Sequence, residues 1–312
     1  MSSPLPPWLL PAWTQFQSAL RSGRLGHALL LAGERGLGKR GLAATMVQRL
    51  LCQAPGADGH ACGQCRSCVW LAAGTHPDYL ALRPEDDSDS IRIHQVRGLI
   101  ERVQLTGQAS STRVAVIEPA DAMNVNAQNA LLKTLEEPPP GVHLVLIADE
   151  PALLLPTVRS RCHAFVVTAP APQVVHDWLV AQGRDLAPLT VALAAGHPGT
   201  ALEWSGADAA QRLQAVGEDL VALRQGRCSP LQVAARWAGE PEAHVEAAIA
   251  WLRLWSWGSA GHALAAGAPA PPVDLDRLSR SQLEALRLRS RLRTPLRANW
   301  LLHEWLAAWQ DG

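Results

Sequence analysis

At 312 residues the chain has room for two or three domains of roughly 150 residues each. With 48% hydrophobic and 18% charged residues it can bury a substantial core. Its formal net charge of +0 excludes the strongly basic balance of a general nucleic-acid or membrane-surface binder, so any basic surface has to be local.

Residues 1–20 carry no charged side chain, but Pro4, Pro6, Pro7 and Pro11 interrupt them and Gln15 and Gln17 dilute them. No basic stretch precedes them, so this is not the pattern of a signal segment, and nothing else approaches transmembrane length. The chain reads as soluble and cytoplasmic. In that compartment its six cysteines are expected to stay out of disulfides.

The first strand candidate, His27–Ala32, runs into Gly33-Glu34-Arg35-Gly36-Leu37-Gly38-Lys39. A helix pattern follows over Arg40–Leu51, with Leu42, Met46 and Leu50 four apart. This is nearly the phosphate-cradling loop G-x-x-x-x-G-K-[S/T], in which backbone N–H groups and a helix start receive an anion and the lysine meets the outer phosphates. The last position is Arg40. A cation there repels Mg²⁺ and offers it no acceptor. The loop reads as inherited from a nucleotide-binding fold and damaged for catalysis, the plainer alternative being an ordinary glycine-rich turn. Gly33, Gly38 and Lys39 are left able to hold an adventitious anion.

Next come Cys52 and the run Cys62-x-x-Cys65-x-x-Cys68, with Gly59, His60 and Gly63 supplying turn chemistry. Four thiolates this close suit a tetrahedral structural zinc, which could contribute on the order of 10 kcal/mol to local folding. An iron–sulfur run would want a further cysteine about four residues on, and position 72 is alanine. His60 in place of one thiolate, or unbound cysteines, are the remaining alternatives. Lone Cys162 and Cys228 are expected in the core.

Strand candidates continue at Asp78–Arg83, Arg113–Glu118, His143–Ala148 and Ala164–Val167, separated by helix patterns at Ile93–Gln104 and Asn124–Glu137. The almost continuously apolar runs suit strands buried on both faces of a parallel sheet, so the alternation predicts a three-layer α/β domain. A working nucleotidase needs an acidic pair after the strand at 113–117. Here the chain reads Glu118-Pro119-Ala120-Asp121, with proline at the catalytic carboxylate's place. Asn126, Asn129, Lys133 and Glu136 recur at helical spacing as a solvated or contact face. Arg161 follows in Ser160-Arg161-Cys162.

Thr168-Ala169-Pro170-Ala171-Pro172 reads as a hinge. Beyond it helices are expected at Val174–Gln182, Leu186–Ala195, Pro198–Ser205, Ala209–Arg224, Pro230–Ala238, Pro241–Gly258, Ser281–Arg293 and Pro295–Gln310, with a loop at Gly261–Asp274. Trp251 and Trp255, like Trp305 and Trp309, share helix faces as bundle core or as an oligomer interface. Arg280, Arg287, Arg289, Arg291, Arg293 and Arg297 form a basic stripe, either a solvated face or a contact for DNA or an acidic partner.

Together the segments H-A-L-L-L-A-G at 27–33, the four cysteines, T-H-P-D at 75–78, N-A-L-L-K-T-L-E-E-P-P at 129–139 and R-S-R-C at 159–162 resemble the delta-prime family of bacterial DNA polymerase III clamp-loader subunits. The match covers residues 1–200 in order and spacing, and the last third only in length and helical character. The resemblance implies a RecA-like AAA+ domain at 1–168 carrying the zinc knuckle at 52–68, a small helical lid at 169–206 and an all-α collar at 207–312. It implies a ring of five with gamma/tau ATPase subunits and the delta subunit, acting on a sliding clamp and primer-template DNA with no membrane partner. It also implies that Arg161 is an arginine finger in a neighbour's ATP site. Ala148 stands for the expected sensor residue and Gly199 for the lid arginine, so this chain's own site is not expected to bind ATP productively. The competing readings are a zinc-containing AAA+ ATPase that hydrolyses its own ATP and a zinc-dependent nucleic-acid module. The damaged loop argues against the first, and the scarcity of basic residues around the knuckle against the second.

Overall fold

A computed structural model describes residues 5–85, 88, 90–104, 112–184, 186–195, 197–292 and 297–311. The chain divides into two compact units, 1–169 and 170–312. The first opens with a helix that sequence reading did not assign, α1 (Leu10–Arg21). Pro11 stands in its first turn, where proline is tolerated because its missing N–H has no intrahelical acceptor. There follow β1 (Ala28–Ala32), α2 (Lys39–Leu51), α3 (Arg66–Ala72), β2 (Tyr79–Leu82), α4 (Ile93–Gln104), β3 (Arg113–Ile117), α5 (Val125–Glu136), β4 (Val142–Ala148), α6 (Pro156–Arg159) and β5 (His163–Val166). Every expected strand is present, shifted by no more than one residue at either end.

Among the described residues the strands form one parallel sheet in the order β2-β3-β4-β1-β5. The alternation along β1 shows why it needs a helical layer on each side. Ala28, Leu30 and Ala32 share a core with Val96 and Leu99 of α4 and Leu131 and Leu135 of α5. Leu29 and Leu31 share another with Trp13 and Phe16 of α1 and Leu42 and Met46 of α2. This is the expected three-layer α/β domain. The segments after β1, β3 and β4 all leave the carboxyl edge of the sheet, where open α/β sheets take ligands.

The second unit holds α7 (Pro172–Ala181), α8 (Pro188–Leu193), α9 (Pro198–Glu203), α10 (Ala207–Arg224), α11 (Pro230–Trp237), α12 (Pro241–Ser259), α13 (Leu275–Leu292) and α14 (Ala298–Asp311), and no strand among the described residues. Proline stands in the first turn of α7, α8, α9, α11 and α12, where its φ is already helical. The helix expected from Ser281 starts at Leu275, because the Asp274 carboxylate accepts the Arg277 N–H at 2.9 Å and caps it. The end expected at Arg293 and the start expected at Pro295 lie outside the described residues. No described helix is long and apolar enough to cross a membrane.

The tryptophans on shared helix faces prove to be core. Trp251, Trp255, Trp305 and Trp309 are buried with Trp237, and their indole N–H groups donate to the carbonyls of Leu213, Pro269, Ser281 and Leu220. Burying these indoles requires acceptors, and the bundle supplies one for each. Trp251 also needs Gly217. A Cβ at that position of α10 would stand 2.5 Å from the indole ring. Replacing Gly217 with alanine gains about 1 kcal/mol of helix propensity, but overpacking costs about 1–3 kcal/mol. A net loss should appear as a lower denaturant midpoint, and an unchanged midpoint would contradict this packing.

Candidate functional site

Three groups of residues carry the chemistry of the first unit. The first is the loop between β1 and α2. Gly38 precedes α2 with φ 86°, and Gly33 passes so close to Val167 that a Cβ would lie 2.2 Å from its carbonyl oxygen. The Lys39 ammonium is buried and donates to Gly33 O at 2.6 Å, Glu34 O at 2.8 Å and Asp149 Oδ1 at 2.6 Å. Three donors are all an ammonium has, so the lysine is saturated from within the chain. The Arg40 guanidinium pairs with Glu118, whose other oxygen takes Arg83 at 3.2 Å. The Asp149 carboxylate thus takes up the lysine's charge, and Arg40 takes up one oxygen of Glu118. Asp121 turns away and accepts the N–H groups of Asp149 at 3.2 Å and Glu150 at 2.7 Å, which braces the turn that presents Asp149.

Sequence reading named Gly33, Gly38, Lys39 and Arg40 but not Asp149, which lies 110 residues from Lys39. Only the pairing of β1 with β4, which sets Ala32 opposite Ala148, brings the two together. Ala148 itself ends β4 fully buried, so the polar group at this edge is its neighbour.

The second group is the knuckle. The sulfurs of Cys52, Cys62, Cys65 and Cys68 all lie within 4.8 Å of one another, and these are the ligand atoms that could hold a metal ion. Tetrahedral coordination with bonds of about 2.3 Å requires sulfurs roughly 3.8 Å apart, and Cys52 and Cys62 stand at 3.6 Å. Backbone N–H groups of Cys62 and Cys65 point at the sulfurs of Cys52 and Cys62, each at 3.3 Å. Burial pushes the Cys65 thiol up, but amide hydrogen bonds from Cys68 and Gln53 and contacts with the Cys68 and Cys62 thiols outweigh it and bring it down to about 6. Burial and the hydrogen bond with Cys65 push Cys68 up to about 12. Among the described residues His60 is not one of the set; its ring lies on Trp13 with centroids 4.8 Å apart. All six cysteines are free, and Cys162 and Cys228 pack against the cores of their units.

The Thr75-His76-Pro77-Asp78 segment supports the knuckle from behind. His76 Nδ1 accepts the Asp78 N–H at 3.1 Å, so the ring proton sits on Nε2 and is donated to Ser67 Oγ at 2.6 Å. Ser67 in turn donates to Leu51 O at 2.7 Å. This neutral relay joins the residues next to Cys52 and Cys68. Asp78 also pairs with buried Arg113 at 3.4 Å, and Arg113 closes the end of α4 through Arg102 O at 2.7 Å. Burial holds His76 below the ordinary histidine value, and His143 likewise. A lowered folded value means stability that is full above the unfolded value near 6.5 and is lost as pH falls through the folded one. The thermal midpoint should therefore drop as pH falls below about 6.5, and His76→Gln should flatten that slope. An equally steep slope in the variant would contradict the relay.

The third group is Arg161 with α5. Asn126, Asn129, Lys133 and Glu136 are all exposed along that helix. Arg161 Nη1 donates to Thr157 O at 2.9 Å and Nη2 to Glu136 Oε1 at 2.5 Å. The arginine side chain keeps 34% of its surface exposed. Within the helix Gln128 donates to Leu153 O at 3.3 Å and accepts the Leu155 N–H at 2.7 Å, tying α5 to the segment that enters α6.

In the second unit Arg280, Arg287, Arg289, Arg291 and Arg297 are exposed, while Arg293 lies outside the described residues. They do not make one stripe. At 3.6 residues per turn Arg280, Arg287 and Arg291 share a face and Arg289 lies roughly opposite. Glu284 interrupts that face, and Glu304 sits 3.5 Å from Arg291.

A model of the family described as DNA polymerase III, delta subunit, matches residues 10–171. DNA polymerase III subunit delta' of Pseudomonas aeruginosa is 38% identical over 256 residues, which is 81% of this chain and 76% of that protein. The subunit of the same name from Escherichia coli is 38% identical over 200 residues, 63% of this chain and 59% of that one. A solved DNA polymerase III gamma subunit-related protein of Thermotoga maritima aligns over 96% of this chain and 98% of its own, with 18% identity and a TM-score of 0.43. By the match to the family and the identity to its members, the chain belongs to the delta-prime subunits of DNA polymerase III.

Proposed function

We propose that this chain is a non-hydrolysing member of a clamp-loader ring, which completes a neighbour's ATP site with Arg161 and helps place a sliding clamp on primer-template DNA in the cytoplasm. In this reading residues 169–206 form a lid and 207–312 a collar, and the ring of five includes gamma/tau-type ATPase subunits and a delta subunit. The knuckle holds one structural zinc. The observation that carries the reading is the contrast between two sites. Lys39, only 3% exposed, is held by Asp149 and two carbonyls, and Arg40 is paired with Glu118, whereas Arg161 sits at the surface with 34% of its side chain exposed and only a solvent-open pair with Glu136 to hold it. Phosphoryl transfer gathers charge on the γ-phosphate oxygens, and a guanidinium supplied from a neighbour stabilises it.

The competing reading, a zinc-containing ATPase that hydrolyses its own ATP, requires Lys39 to leave its three acceptors and a metal ion to displace Arg40. A buried charge stripped of its partner costs about 3–5 kcal/mol, which nucleotide binding would have to offset. Titration of the isolated chain with Mg·ATP is expected to show no micromolar, Mg²⁺-dependent binding and no turnover. Tight binding with accumulating product would overturn the proposal.

A further inference from the structure

We propose that Glu136 is a positioning residue for Arg161, an inference that rests on the reading of Arg161 as a finger reaching a neighbour's phosphate. Glu136 closes the last turn of α5. A carboxylate is disfavoured at that end, where the helix carbonyls already present negative charge. Its counterweight is the Arg161 guanidinium at 2.5 Å. That guanidinium is gripped from two elements at once, by Glu136 of α5 and by Thr157 O of α6.

The frame beneath it is stiff. Leu131 and Leu135 bury the inner face of α5, Val158 buries that of α6, and the Gln128 amide bonds α5 to the chain entering α6. A free arginine side chain explores many rotamers, and ordering it at the moment of reaction costs rate. Two anchors on a packed frame order it beforehand. Because the pair is exposed, it adds little to folding stability. Its effect is expected on the chemical step, where a guanidinium already aimed at the developing charge lowers the barrier and a loosely held one does not.

The test uses the assembled ring with its ATPase neighbour, with ATP varied. At the interface served by Arg161, Glu136→Ala should lower kcat by about tenfold, the scale of a slightly misplaced catalytic group. KM for ATP and the thermal midpoint should stay near their original values. Glu136→Gln keeps an oxygen acceptor at the same place and should recover most of the rate. The double variant Arg161→Ala/Glu136→Ala should be no slower than Arg161→Ala alone, since a residue that acts only through another adds nothing once that other is gone. A full kcat in Glu136→Ala, a change confined to KM, or a double variant slower than Arg161→Ala would each overturn the proposal. If Arg161→Ala itself runs at the original rate, the finger reading fails and positioning fails with it. A slow Arg161→Ala beside an unimpaired Glu136→Ala removes positioning alone.

Discussion

Arg161→Ala should reduce ATP turnover at the interface it serves by on the order of 10³–10⁵, equivalent to about 4–7 kcal/mol of transition-state stabilisation. The chain itself should fold as before. Arg161 is a third exposed and its ion pair with Glu136 is open to solvent, and such pairs contribute about 0–1 kcal/mol. Arg161→Lys should not restore the rate. An ammonium is a compact charge without the planar fork that spans two phosphate oxygens, and its reach from the same backbone differs. The measurement must isolate one site, because other interfaces of a ring can keep hydrolysing. Steady-state turnover in a ring whose remaining ATP sites carry inactivating substitutions does this. Equal rates with arginine and alanine at position 161 would remove the finger.

Stripping metal from the knuckle should have the largest effect on stability. Structural zinc in small cysteine sites is worth about 10–16 kcal/mol of apparent binding free energy near neutral pH, and that binding is coupled to the order of the segment holding it. Purified protein is expected to carry one zinc, and Cys65→Ser or a strong chelator to lower the thermal midpoint steeply. The damage should spread, because the relay from Leu51 through Ser67 to His76 joins the knuckle to the start of β2. Metal should also be held less tightly in acid, since protons compete for thiolate ligands. Protein that elutes without metal and melts at the same temperature with or without chelator would refute the assignment.

Much of the fold was legible because it rests on local patterns. The nearly continuous apolar runs at 28–32, 113–117 and 143–148 suit strands buried on two faces, and the helices between them follow from side-chain periodicity. The cysteine spacing marked the knuckle, and two separate departures from a nucleotide-hydrolysing pattern were visible at Arg40 in the loop and at Pro119 after β3. Not legible were α1, whose Pro11 sits in the permissive first turn, and the start of α13 at Leu275, where the Asp274 carboxylate caps the helix through a hydrogen bond from Arg277 N–H.

The chain's residues by themselves determined that a loop close to the phosphate-cradling pattern carries an arginine at its last position, that four cysteines were clustered, and that an arginine followed a short helix before the last strand. Each is a statement about neighbours in sequence, where spacing dictates geometry. Only the tertiary structure decided which partners these charges meet. Lys39 meets Asp149 because parallel pairing aligns β1 with β4, Arg40 meets Glu118 because α2 starts beside the end of β3, and Arg161 meets Glu136 because α5 and α6 share a core. Such ion pairs join residues 25 to 110 positions apart, and no local periodicity encodes them; charges find these partners only once the hydrophobic layers have fixed the strand register.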